Sequence, residues 1–339
     1  MRAALVEAIG RAPSPADLPE PARRPGEALV RIHAAALNPV ELHIWNGHFF
    51  DGPPRPPYVI GLEGVGVVEE GDRLEPGTRV RVEYVHPGYG RDGAVAEYAV
   101  VPEEPDSADR ASQASVAPIG DELDDVAAAA LGVPVFTALM CLERAQAAGA
   151  TLEGAHVLIT AATGAVGTIA VQLAKLMGAA RVVAAGRNEE RLERVGALGA
   201  DATVELPDGL GAAGLRERFA EAAGEQLDVA LDPLWGEPAR AAVDALTGGG
   251  VYVSFGQAAA PLAELSGIPL RNRRVAMVGH SGAWATPQER QEALARAHAL
   301  AARAGRPLTL DTEELPIEQI GAGWERLARS AGRRLVVRP

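Results

Sequence analysis

The rhythm of apolar and polar positions changes once along the chain, near residue 126. Before that point, short β-like runs at 28–34, 64–69, 79–85 and 94–101 are separated by clusters of Pro and Gly, and 1–9 reads as another short strand. This pattern predicts an irregular, mostly β region. The acidic, Ser-containing stretch 103–125 reads as a surface connection. After an alanine-rich helix and a second helix over 137–148, apolar runs recur at 155–159, 181–185, 202–206, 227–231, 250–254 and 275–279. Helical patterns at 168–177, 189–198, 212–223 and 237–246 fill most of the gaps. Six short apolar strands joined by helical crossovers predict an α/β unit with a parallel, doubly wound sheet. Such sheets bind ligands outside the carboxyl ends of their strands. An amphipathic helix over 287–304, a helix over 316–330 and a strand-like run at 334–337 close the chain.

Length and charge narrow the function classes. The 339 residues suggest two domains with sizeable cores. With 45 acidic and 32 basic side chains the net charge is −13, which argues against a nucleic-acid or anionic-membrane surface. No apolar run approaches the length needed to span a bilayer. The 1–9 segment does not read as a secretory leader, so a cytoplasmic protein is expected. The one cysteine, Cys141, excludes an intramolecular disulfide framework and any multi-cysteine zinc lobe. Its helical surroundings predict a packed, unreactive thiol.

The most informative stretch is Thr160-Ala161-Ala162-Thr163-Gly164-Ala165-Val166-Gly167, between a predicted strand and a predicted helix. Small residues there let the backbone approach a pyrophosphate, whose charge then meets helix N-terminal N–H groups. The next strand ends at Gly186-Arg187-Asn188. In NAD-binding units a carboxylate near this point accepts from the ribose hydroxyls. Gly186 leaves that space open and Arg187 supplies a planar cation for a 2′-phosphate, which favours NADP(H). The alternative is a solvated Arg187, with an acid further on reading the ribose. Asn188 reads as the N-cap of the following helix, with Glu189 and Glu190 in its first turn.

Several further motifs carry a family resemblance. They include Ala35-Ala36-Leu37-Asn38-Pro39, Gly61-Leu62-Glu63-Gly64-Val65-Gly66-Val67-Val68, Gly93-Ala94-Val95-Ala96-Glu97-Tyr98, Thr137-Ala138-Leu139, Val253-Ser254-Phe255-Gly256 and the tail Ala331-Gly332-Arg333-Arg334-Leu335-Val336-Val337. Together with the Gly-rich turn, over nearly the whole chain, they resemble the medium-chain dehydrogenase/reductase superfamily in its zinc-free quinone oxidoreductase (zeta-crystallin-like) branch. The resemblance implies a GroES-like, mostly β catalytic domain (1–126), a Rossmann domain that binds NADP(H) (127–282), and a return to the catalytic domain (283–339). It implies a nicotinamide held in a cleft between them, and a homodimer formed by extending the Rossmann sheet. The metal-dependent branch places a Cys where Asn38 stands, a His where Leu62 stands, and a third ligand in the apolar run before Thr137. Catalytic zinc needs about three protein ligands, so no metal is expected and Glu63 is read as a structural hydrogen-bonding group.

Carried over residue by residue, the resemblance puts Thr163, Gly164, Ala165, Val166 and Gly167 on the pyrophosphate. Gly186 and Arg187 would meet the 2′-phosphate, with Asn188 or Arg191. Asn38, Thr137, Phe255, Gly256 and Gln257 would surround the nicotinamide end, and Arg333 would reach back from the tail. Leu206 stands where relatives place an aromatic residue against adenine. His43 stands where relatives place a Tyr facing the substrate; it would hydrogen-bond a developing oxyanion or return a proton, unless it is merely solvated or structural. Glu41 would orient it or cap the turn. His48, His86 and His280 read as loop histidines, and Trp45, Phe49, Phe50 and Tyr58 as pocket wall or ordinary core. The implied activity is zinc-independent hydride transfer from NADPH to a small, apolar, electrophilic substrate, a quinone or an α,β-unsaturated carbonyl. The alternatives are an enoyl-thioester reductase and a non-catalytic NADPH-binding redox sensor.

Overall fold

A computed structural model of the chain describes residues 1–49, 52–83, 87–104, 113–329 and 332–339. The chain divides into two compact units, one of 1–133, 285–291 and 309–339, the other of 134–284 and 292–308. The 283–339 tail is thus shared, with 283–284 and 292–308 in the second unit.

In the first unit a seven-stranded sheet is built around the long strand Glu27–Ala36. That strand pairs antiparallel with Glu63–Glu70, Tyr98–Pro102 and Arg334–Arg338. Its alternation is a period-2 pattern, with Ala28, Val30 and Ile32 pointing into the core. The sheet continues through Arg79–Glu83 to Ser115–Pro118. This last strand corrects the reading of 103–125 as a plain surface connection: Ser115 and Val116 are buried, whereas their polar surroundings mask any strand rhythm. Likewise, 94–97 forms only an isolated bridge, Ala3 to Ala96, and Ser14–Asp17, Tyr58–Val59 and Thr312–Pro316 are strands too short to show a period.

The second unit is a six-stranded, all-parallel sheet. Its spatial order is Ala202–Glu205, Arg181–Gly186, His156–Ile159, Val229–Asp232, Val251–Ser254, Ala276–Gly279. The chain starts in the middle, winds outward on one side and then on the other, so the switch point lies between His156–Ile159 and Val229–Asp232. Central strands are apolar on both faces because helices cover both; Val229–Asp232 is buried at every position. The helix after the Gly-rich turn begins at Ala165, three residues earlier than its apolar pattern, since its first turn carries small residues. Cys141 is fully buried on the Val133–Ala147 helix, and burial pushes its thiol pKa up, so it is inert. Among the described residues no helix is long and apolar enough to cross a membrane.

Candidate functional site

The Gly-rich turn leaves the His156–Ile159 strand with Ala161 in the left-handed region (φ 48°). The Ala162 N–H donates to Ala185 O of the neighbouring strand at 2.9 Å. The helix Ala165–Leu176 then opens with extended Gly164 as N-cap, and no side chain caps it. An N-terminus built this way points its first N–H groups outward from the carboxyl edge of the sheet, a cradle for an anion. Gly167 sits where helix and turn are closest: a Cβ there would lie 2.5 Å from Ala161 O and 2.6 Å from Ala162 Cα. Both are backbone atoms and cannot swing aside. Gly167→Ala is expected to cost roughly 1–3 kcal/mol of stability, and the displaced helix start should weaken dinucleotide binding. Thermal unfolding with and without NADPH checks both effects; an unchanged midpoint and affinity would contradict the close-packing role.

Gly186 ends its strand, buried beside Thr163, with a hypothetical Cβ 3.0 Å from Thr163 Cγ2 and 3.3 Å from Leu192 Cδ2. A Cβ there would be tighter than ordinary contact and would require Thr163 or Leu192 to give by a few tenths of an ångström. Arg187 and Asn188 follow at the surface. Asn188 caps the Glu189–Ala197 helix, its side chain accepting from Arg191 N–H at 2.9 Å. Leu206 is buried in the core of this unit, where its N–H donates to Gly186 O at 2.8 Å. The turn, the glycine and the surface arginine fit a dinucleotide carrying a 2′-phosphate.

Further along the carboxyl edge, Asp232 is completely buried and accepts from four donors. They are the Thr160 hydroxyl, the Tyr252 hydroxyl (2.6 Å), Leu234 N–H (3.2 Å) and Trp235 N–H (2.8 Å). Burial raises its pKa against those four bonds, which lower it. Sequence reasoning missed this carboxyl, because nothing in Val229–Asp232 distinguishes it from a strand-end surface acid. Phe255 is half-buried, with Gly256 and Gln257 exposed beyond it; Thr137 is half-buried on the Val133–Ala147 helix. Gly256 and Gln257 also line an open hollow of about 510 Å³.

The first unit contains a buried charge cluster of three carboxylates (Glu41, Glu63, Glu83) and three guanidinium groups (Arg81, Arg290, Arg334), none more than 9 % exposed. Glu63 accepts from Asn38 Nδ2 (3.2 Å), Val133 N–H (2.8 Å) and Arg334, with Arg81 3.7 Å away. Arg290 pairs with Glu83 at 2.5 Å. Arg334 also donates to Leu37 O, and Arg81 to Ala128 O. The cluster leaves no room at Gly132, where a Cβ would collide with Glu63 Oε2. The tail residue that reaches inward is therefore Arg334. Arg333 is exposed and pairs with Asp311 at 3.2 Å. In Arg79–Glu83 the charged side chains of Arg81 and Glu83 are buried by partners distant in sequence.

Asn38 and Glu41 belong to this cluster rather than to an open surface. Glu41 Oε1 accepts Asn38 N–H and its Oε2 accepts Gly61 N–H, both at 2.9 Å. Burial pushes Glu41 up to about 7, opposed by those two N–H bonds and by Arg334. His43 lies two residues on in the Val40–Trp45 helix and is exposed, so Glu41 caps the turn and does not orient it. Trp45 packs edge-to-face on Trp324 (5.9 Å), and Tyr58 is core. Phe49 is half-buried and His48 exposed. Burial, with Arg144 nearby, pushes His280 down to about 4, so it is neutral near pH 7. Phe50 and His86 lie outside the described residues. Among those described, no group of three or more His, Cys, Asp or Glu is placed to hold a metal ion.

Two family models match, "Alcohol dehydrogenase GroES-like domain" over residues 24–106 and "Zinc-binding dehydrogenase" over 165–299. An alcohol dehydrogenase of Geobacillus stearothermophilus is 32 % identical over 232 residues, 60 % of this chain and 63 % of the relative. A quinone oxidoreductase of Pongo abelii is 30 % identical over 183 residues, 51 % of this chain and 48 % of the relative. The chain thus spans between about half and under two thirds of these curated relatives. The solved quinone oxidoreductase of Thermus thermophilus, which was also determined with NADPH, superposes with a TM-score of 0.78 at 32 % identity, covering all of both chains.

Proposed function

The chain belongs to the medium-chain dehydrogenase/reductase superfamily, in its quinone oxidoreductase branch, and from that premise we propose that it is an NADPH-dependent, zinc-independent reductase of quinones or α,β-unsaturated carbonyls. The observation that carries this reading is Gly186-Arg187 at the end of the second strand of the parallel sheet, beside the Thr163–Gly167 cradle. The cradle takes the pyrophosphate on backbone N–H groups, and Arg187, with Arg191 one helical turn on, takes the 2′-phosphate. Thr137, Phe255, Gly256 and Gln257 flank the nicotinamide end. When bound, NADPH supplies a hydride to the acceptor, which with one proton gives the hydroquinone or the saturated carbonyl, and NADP⁺ leaves.

The donor set does not fit zinc. Asn38 Nδ2 is a donor already spent on Ala36 O and Glu63, Leu62 has no ligating atom, and Glu63 is held by Asn38, Val133 and Arg334. A metal would have to break that buried set to reach Glu63. The reaction is accordingly assigned to acceptors that are electrophilic without a Lewis acid.

Of the three candidate catalytic residues, Asn38 and Glu41 act by holding the segment from below, and His43 is the one whose ring meets solvent. His43 is proposed as the group that returns the proton. His43→Phe should lower kcat at least about tenfold, with the Kd for NADPH unchanged; unchanged kcat at saturating acceptor would remove it from the chemistry.

The same reading makes the chain a cytoplasmic homodimer. Its support is the outer strand Ala276–Gly279, incompletely covered, with Leu262 (81 % exposed) and Trp284 (68 % exposed) in the same unit. Sedimentation equilibrium at twice the 35.2 kDa chain mass would agree, and a monomer at all concentrations would not. Titration calorimetry tests the cofactor assignment: NADPH should bind at least about tenfold more tightly than NADH, and equal affinities would overturn it.

A further inference from the structure

Val229, Ala230 and Leu231 are buried apolar residues, and the same strand ends in a carboxyl, Asp232, that no solvent reaches. An apolar side chain would fill this position without the cost of desolvating a charge, so a buried acid here needs a reason beyond packing. Its partners supply one. Oδ1 accepts the Thr160 hydroxyl and Leu234 N–H (3.2 Å), and Oδ2 accepts the Tyr252 hydroxyl (2.6 Å) and Trp235 N–H (2.8 Å). Four donors on two oxygens match a carboxylate, which only accepts; an amide would set its own N–H against a backbone N–H on one side.

Two of these donors belong to one well-fixed piece of backbone. Asp232 O accepts Phe255 N–H at 3.0 Å, Pro233 O accepts Ala258 N–H at 3.0 Å and Leu234 O accepts Ala259 N–H at 2.8 Å. Gly256 packs so closely on this turn that a Cβ there would lie 2.7 Å from Pro233 O. Trp235 is held at φ 63°, a conformation that costs a bulky residue energy and persists only where its surroundings dictate it. The 232–235 turn is therefore anchored on the loop beyond Ser254.

Thr160 is the other end of the tie. It opens the Gly-rich turn and is itself fully buried, so it meets no ligand directly. Its N–H donates to Leu231 O at 3.0 Å while its hydroxyl reaches Asp232. Ala161, the next residue, is left-handed, and its carbonyl accepts Gly164 N–H at 2.9 Å and closes against Gly167. A shift at Thr160 thus passes directly into the cradle.

The geometry points to Asp232 as a positioning residue for the nucleotide: through the Thr160 hydroxyl it holds the Gly-rich turn in place against the 232–235 turn and the 255–259 loop. This rests on the dinucleotide reading of the Gly-rich turn and adds to it a residue that lies beneath the binding surface.

The test titrates full-length wild type, Thr160→Val, Thr160→Ser, Asp232→Asn and the Thr160→Val/Asp232→Asn double variant with NADPH and with NADH by calorimetry, well below their unfolding midpoints. Thr160→Val keeps the shape and loses the hydroxyl; it should weaken both nucleotides by the same factor, at least about tenfold, because the pyrophosphate is common to both. Thr160→Ser, which restores the hydroxyl, should recover most of that loss. The double variant should bind within about twofold of Asp232→Asn alone, since both changes cut one tie. A lower unfolding midpoint with unchanged Kd in Thr160→Val would overturn the positioning role, as would a loss confined to NADPH or Thr160→Ser binding as weakly as Thr160→Val. If Asp232→Asn does not fold, the two Thr160 variants decide alone. Equal wild-type affinities for NADPH and NADH, with both weakened together in Thr160→Val, would uphold the tie and overturn the 2′-phosphate reading. Wild-type protein that binds neither nucleotide would overturn both.

Discussion

Arg187→Ala is expected to weaken NADPH binding roughly 10- to 150-fold, the equivalent of a charged hydrogen-bonded contact worth about 1.5–3 kcal/mol, with NADH affected less than about twofold. The asymmetry follows from where the residue stands. Gly186 is buried beside Thr163 and Leu192 and itself offers no carboxylate to a ribose, and the first side chain beyond the strand is Arg187 at the surface. A guanidinium offers two parallel N–H donors to a phosphate and nothing comparable to a ribose hydroxyl. The neighbouring helix cap is made by Asn188 with Arg191 N–H, so the helix start keeps its cap in the variant. Fluorescence titration of both nucleotides against wild type and variant measures the effect. Equal losses for NADPH and NADH would mean that Arg187 supports the turn and does not read the 2′-phosphate.

Glu63→Ala is expected to cost roughly 3–5 kcal/mol of stability. The carboxylate is 1 % exposed and receives Arg334, Asn38 and Val133 N–H directly, with Arg81 close by. Removing it strands two buried guanidinium groups whose pKa values burial already lowers and whose Glu63 interaction raises them. Such a loss exceeds what deletion of four side-chain atoms would give, because the penalty lies in the unpaired cations left behind. Glu63→Gln should cost less, since its amide oxygen still accepts. Urea unfolding of the three proteins gives the comparison; a loss below about 1 kcal/mol for Glu63→Ala would contradict a network that depends on this carboxylate.

The parallel sheet and its Gly-rich turn were legible from sequence because their signals are local. Short apolar runs such as 155–159 and 181–185 can be buried on both faces only under helices, and the Gly-rich turn announces a close backbone approach. The observed strands His156–Ile159 and Arg181–Gly186 lie within a residue of those runs. The first unit was harder, since its short strands have no room for a period and Ser115–Pro118 lies in acidic surroundings.

Side-chain placements were not legible where they depend on distant partners. Arg333 and Arg334 are adjacent and identical in type, and only the carboxylate of Glu63, 271 positions away, decides that Arg334 turns inward. Glu41 and His43 are two apart on a helix and so point to different sides, which makes the first a buried cap and the second a surface group. Trp235 gives no sequence signal at all: its positive φ comes from Asp232 and the turn between them, and only the backbone reveals it.

The central claim is NADPH-linked reduction of an activated acceptor, and loss of absorbance at 340 nm tests it most directly. Each of NADPH and NADH would be mixed with the protein and a panel of quinones, enones and enoyl thioesters, without added metal and again after treatment with a chelator. The account predicts turnover with NADPH in preference to NADH, with a quinone or an enone as acceptor, and unchanged by the chelator. Nucleotide binding without oxidation by any acceptor, or turnover that disappears on chelation, would contradict it.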